Sequence, residues 1–125
     1  MNIEIIKLKE IIHELGYTHI ILENDFYVKI LFYNSIKEKN MIFVVSYNKS
    51  DPERYLDVGI IGIEPNHKSA SGFFTIIREV TKENVVTALS IVEESAPLCG
   101  NSFIIYHKDI DKVIKEYASI YDYSL

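Results

Sequence analysis

The sequence has no tryptophan, a single cysteine (Cys99), three prolines and five glycines in 125 residues. One cysteine excludes an internal disulfide, and with no secretory signal expected at Met1-Asn2-Ile3-Glu4 it favours a cytoplasmic setting. No run of eighteen apolar residues is present, so no spanning helix and no membrane partner are expected. Glycine, serine and proline never cluster into a linker, and no segment repeats, so one domain is expected. Basic clusters are also lacking. Thirteen Lys and Arg stand against eighteen Asp and Glu, a net charge of −5 that repels phosphate backbones and attracts cationic proteins. Nucleic acid is therefore not an expected partner.

Catalytic motifs are absent too. The four histidines, His13, His19, His67 and His107, show no metal-ligand spacing, so neither a metal nor a cofactor is expected. The loop Pro65 to Gly72 lacks the glycine spacing and Lys-Ser/Thr ending of a phosphate loop. Cys99 with His107, or that loop, would supply the residues of an enzyme or small-ligand site. A thiol nucleophile, however, needs a base and an orienting group within reach, and no local signature provides them. Cys99 reads as a small packed hydrophobe.

What is present is a stretch of strands. Phe26 to Tyr33 is dense in aromatic and β-branched residues. Alternation gives it one apolar row (Phe26, Val28, Ile30, Phe32) and one mixed row (Tyr27, Lys29, Leu31, Tyr33). Met41 to Tyr47 is apolar on both rows, which marks a central strand. Asp51-Pro52 breaks the chain before a third strand, Tyr55 to Ile63. Gly59 and Gly62 inside it read as curvature under a packed helix rather than a ligand's approach.

Before these strands, Ile5, Leu8, Ile12 and Leu15 recur at helical spacing, and Gly16 supplies a helix stop, so a helix is predicted at about 2–15. Thr18 to Leu22 and the turn Glu23-Asn24-Asp25 make a hairpin with the next strand, and that edge is open to pairing with a second copy. After the polar loop 65–72, Ser71 would cap one helix running to Glu94. Thr81 is the better cap, before the stripe Val85, Ala88, Leu89 and Val92, so a strand at 73–79 and a helix at 82–94 are predicted. Ser102 to His107 reads as a last strand. Asp109 then caps a helix carrying Ile110, Val113, Ile114, Tyr117 and Tyr121 on one face, with a frayed tail 122–125. The fold class is α+β, a mainly antiparallel sheet of five to six strands with helices on one face. The other face keeps tyrosine and charge.

Tyrosine is the unusual count, at nine. It offers rigid contact area with a polar tip, which suits interfaces. Tyrosines mix with acidic side chains at Glu53, Tyr55 and Asp57, and again at Tyr121, Asp122 and Tyr123. These six are the expected contacts for a basic partner, and oligomeric state stays open. In size, acidity and lack of catalytic motifs the chain resembles small bacterial immunity proteins, which neutralise cationic nuclease toxins. That resemblance implies non-catalytic occlusion of a toxin domain's active site. The opening helix ending in Glu14-Leu15-Gly16, followed by a hairpin, is similar to type III secretion chaperones, which hold an extended segment of a partner. Five strands before the next helix depart from that pattern.

Overall fold

The computed structural model describes residues 3–51, 55–63, 69–99 and 103–124, the side chains of 3, 63, 69–71, 98 and 99 excepted. Helix α1 (Ile3–Glu14) leads into strands β1 (Thr18–Glu23) and β2 (Tyr27–Tyr33) and a two-residue β3 (Lys39–Asn40). The strands β4 (Ile42–Asn48), β5 (Leu56–Ile63) and β6 (Ser69–Ile77) follow, then helix α2 (Lys82–Ser95) and a 3-10 turn, Ala96–Cys99. The chain closes with β7 (Ile105–Tyr106), a second 3-10 turn at His107–Asp109 and helix α3 (Ile110–Ile120).

Local chemistry sets the punctuation. Gly16 takes φ 88, and the amides of Gly16 and Tyr17 donate back to His13 and Ile12 carbonyls, closing α1. The Asn24 Oδ1 accepts from the amides of Phe26 (2.9 Å) and Tyr27 (2.8 Å), which turns the chain between β1 and β2. Phe26, expected in the strand's apolar row, lies in this turn and is exposed. Thr81 Oγ1 accepts from the Asn84 amide at 3.1 Å and starts α2 as the sequence predicts.

The main sheet runs β1-β2-β4-β5-β6, each strand antiparallel to the next, so β4 is central as its two apolar rows require. The strand predicted at 73–79 begins earlier, at Ser69, inside what reads as a polar loop. Pairing with β5 supplies the ladder that composition does not announce. That pairing shifts register between Val58 and Gly59. There a Cβ on Gly59 would stand 1.9 Å from the Gly72 carbonyl oxygen, so the close approach is to another strand's backbone. The predicted strand 102–107 shrinks to β7, which pairs with β3 as a separate ribbon.

Both sheet faces carry helices, which corrects the one-face expectation. Ile30, Phe32, Phe43, Val45, Val58 and Ile60 form one core with Ile5, Leu8 and Ile12 of α1 and Val85, Leu89 and Val92 of α2. Leu31, Tyr33, Ile42, Val44 and Ile61 form a second core on the opposite face with Ile110, Val113, Ile114 and Tyr117 of α3. The apolar second row of β4 is the physical reason, because it would otherwise lie bare to water. Tyr117, on the predicted apolar face of the last helix, is fully buried. Asp109 makes no side-chain cap bond; the preceding 3-10 turn leads the backbone into α3 in its place.

A candidate partner-binding face

Antiparallel register lays the second face out in rows. Leu31 and Val44 share a row beneath α3. One row further out, Leu22, Lys29, Ser46, Asp57 and Ile76 run across all five strands. Beyond it lies the row of Tyr27 and Asn48. α3 ends at Ile120, and its core partners stop at Leu22, so this outer end of the face carries no helix.

The C-terminal segment borders that open end. Asp122 takes φ 56, a left-handed turn that aspartate tolerates better than most residues. The Tyr123 amide donates to the Ala118 carbonyl (2.8 Å), and Ser124 bridges Glu23 on the β1 edge, with N–O distances of 2.8 and 3.3 Å. The tail is therefore tied down where a frayed end is predicted. It also occupies the end of the β1 edge. Tyr117, Tyr121 and Tyr123 form one aromatic cluster: centroids lie 4.9 Å apart for Tyr117 and Tyr121 and 5.8 Å for Tyr117 and Tyr123. Burial, and then the neighbouring Tyr27 and Tyr121 phenols, push the Tyr123 phenol above its ordinary range, so it stays protonated at neutral pH.

Lys29 stands at the centre. It is 7% exposed, and its Nζ lies 4.7 Å from the Phe73 ring centroid, 4.9 Å from that of Tyr27 and 6.0 Å from that of Tyr123. These ring faces attract the ammonium, partly replacing lost water. Loss of water still dominates, and it lowers the Lys29 pKa to about 8 although the Asp57 carboxylate pulls it the other way. Asp57 is not in ion-pair contact: among the described residues the pairs are Lys7–Glu4, Lys49–Glu23 and Lys82–Glu14. Tyr27, Phe73 and Tyr121 are themselves 38%, 42% and 41% exposed, which leaves a ring-lined surface around a sheltered charge.

Of the six residues expected from sequence, Asp57, Tyr121, Asp122 and Tyr123 gather here. Tyr55 lies just ahead of β5, with the Arg78 guanidinium 5.6 Å from its ring centroid. Glu53 lies outside the described residues. Sequence reasoning missed Tyr27, Lys29 and Phe73 as site residues. A lone lysine in the mixed row of β2 was the available signal for the first two; Phe73 reaches the site only through the β5–β6 pairing at the bulge. With Lys29 and Arg78 present, the face is mixed in charge rather than purely acidic.

The alternative chemistry has a different setting. His107 is exposed and, with Glu38, Tyr106 and Lys108, lines a groove of about 390 Å³. Its amide donates to the Glu38 carbonyl at 2.7 Å. The Cys99 side chain and the loop residues 64–68 lie outside what is described. A second cleft of about 280 Å³ adjoins that groove across the β3–β7 ribbon, between Tyr17, Lys37, Lys39 and Glu93. Among the described residues no three His, Cys, Asp or Glu side chains gather closely enough to hold a metal ion, and no helix is long and apolar enough to cross a membrane. No model of a known family, no curated protein and no solved structure matches the chain.

Proposed function

We propose that the chain is a non-catalytic cytoplasmic binding protein for a basic protein partner, acting as an immunity-type inhibitor that occludes the active site of a cationic nuclease toxin. The observation that carries this reading is the gathering of half-exposed rings, Tyr27, Phe73 and Tyr121, around Lys29 where α3 ends. Exposed aromatic rings in one patch favour contact with a partner's buried anchors. Asp122, exposed and flanked in sequence by Tyr121 and Tyr123, would stand in with its carboxylate for a toxin's phosphate substrate. The net charge of −5 adds long-range attraction, which speeds encounter with a cation-rich surface.

The test is affinity capture from the native host, followed by calorimetric titration of the captured protein at several salt concentrations. A basic partner whose affinity drops at least tenfold from low to moderate salt supports the reading. A neutral or acidic partner with salt-independent affinity contradicts it.

A further inference from the structure

The segment between β2 and β4 is pinned at several points. Asn40 is 4% exposed; its Oδ1 accepts from the Asn34 amide (2.9 Å) and its Nδ2 donates to the Lys37 carbonyl (2.8 Å). The Asn34 Oδ1 accepts in turn from the Ile36 amide at 3.0 Å. β7 holds the other side, where Lys39 pairs with Tyr106 and the Glu38 carbonyl accepts from the His107 amide. Lys37 and Lys39 from this pinned segment and Glu93 from α2 line the cleft of about 280 Å³. Among the described residues none of the three makes an ion pair within 4.0 Å. The cleft therefore carries charges of both signs that do not neutralise one another. Tyr17, Met41 and Phe43 give it an apolar lining, the Tyr17 and Phe43 rings standing edge to face with centroids 5.8 Å apart. Burial, and then the Glu93 carboxylate, push the Tyr17 phenol above its ordinary range, so that carboxylate acts within reach of the cleft's aromatic lining.

Ligand clefts join apolar walls to a few placed polar groups and span roughly 300–1,000 Å³. This one stands at the small end of that range, which limits the occupant to about the size of one amino acid. We propose that the cleft binds a free α-amino acid with an apolar side chain, its carboxylate on Lys37 and Lys39, its ammonium on Glu93 and its side chain against Tyr17, Met41 and Phe43. The charge pattern selects a zwitterion. A simple carboxylate leaves Glu93 unanswered, and a simple amine meets two lysines of its own sign. Hydrogen bonds between ionised partners are the strong ones, so each end of the ligand adds affinity and discrimination. The bonds of Asn34 and Asn40 hold the backbone beneath the lysines before any ligand arrives, which lowers the ordering cost of binding. The cleft lies where β2 ends and β4 begins, whereas Lys29 and its rings lie toward the opposite ends of those strands. This inference stands apart from the partner-binding reading.

The experiment is calorimetric titration of the full chain with three probes at neutral pH: L-phenylalanine, hydrocinnamate, which lacks the ammonium, and phenethylamine, which lacks the carboxylate. L-Phenylalanine is expected to fill one site, and each analogue to bind at least tenfold more weakly. Glu93→Gln is expected to weaken L-phenylalanine at least tenfold while hydrocinnamate does not weaken. Lys37→Gln combined with Lys39→Gln is expected to weaken L-phenylalanine and hydrocinnamate but not phenethylamine. All three positions are exposed, so the variants are expected to keep the fold, as circular dichroism would show. Equal affinity for the three probes would overturn the proposal, as would L-phenylalanine binding that neither variant moves. Absence of saturable heat with both L-phenylalanine and L-leucine up to about 10 mM would overturn it too.

Discussion

Lys29 has the least ordinary environment among the described side chains. A charge taken out of water without a paired carboxylate costs stability, and three ring faces offset only part of that cost. The sign follows from linkage. The folded-state pKa, about 8, lies below lysine's ordinary 10.5, so the folded chain holds fewer protons between those values. The penalty is full below pH 8 and fades as pH rises toward 10.5. Lys29→Met keeps the stem and removes the charge. It is expected to raise unfolding free energy by about 1–3 kcal/mol at pH 7. That advantage shrinks toward pH 10, as read by urea denaturation of both proteins across the range. A constant difference across pH, or a loss at pH 7, contradicts the assignment. Tyr17, Tyr33 and Tyr123 titrate late because burial raises their phenols, so their contribution is lost only above pH 10.

At the scale of elements, local signals read well and long-range ones did not. The α1 stop at Gly16 and the α2 cap at Thr81 depend on residues within a turn of each other, and both stand where the sequence places them. The start of β6 depends on a partner strand six to twelve residues away, so Ser69-Ala70-Ser71-Gly72 reads as loop and folds as strand. The tail is similar: nothing in Asp122-Tyr123-Ser124 announces that its backbone will bridge Glu23. The bulge in β5 gives the sharpest element-level prediction. An added methyl at Gly59 would collide with the Gly72 carbonyl, a backbone atom held by the ladder on either side. Gly59→Ala is expected to cost about 3 kcal/mol or more, or to prevent folding, when measured by thermal and urea denaturation. A cost under about 1 kcal/mol would mean that β5 and β6 do not approach there as described.

Over the whole molecule, the α+β class and the antiparallel sheet were legible from alternation and helical stripes. The burial of both faces was legible only in part. The second apolar row of β4 and the stripe on α3 each needed a partner, and each turned out to be the other's. That covering moves the candidate surface from a whole face to one end of it. Asp57 and Tyr121 through Tyr123 share that end although some sixty residues separate them in sequence, a meeting only the fold could reveal. The same geometry shows which surfaces a partner is not expected to use. Val86 and Ile91 are exposed on α2, which packs on the opposite face of the sheet.

The most direct measurement is the dissociation constant of the captured basic partner against a small panel of substitutions, by calorimetry at fixed salt. Tyr121→Ala and Tyr27→Ala are expected to weaken binding tenfold or more, while Val86→Ala and Ile91→Ala stay within twofold of the parent chain. Full affinity in both tyrosine variants, with the loss falling on the α2 pair, would contradict the account.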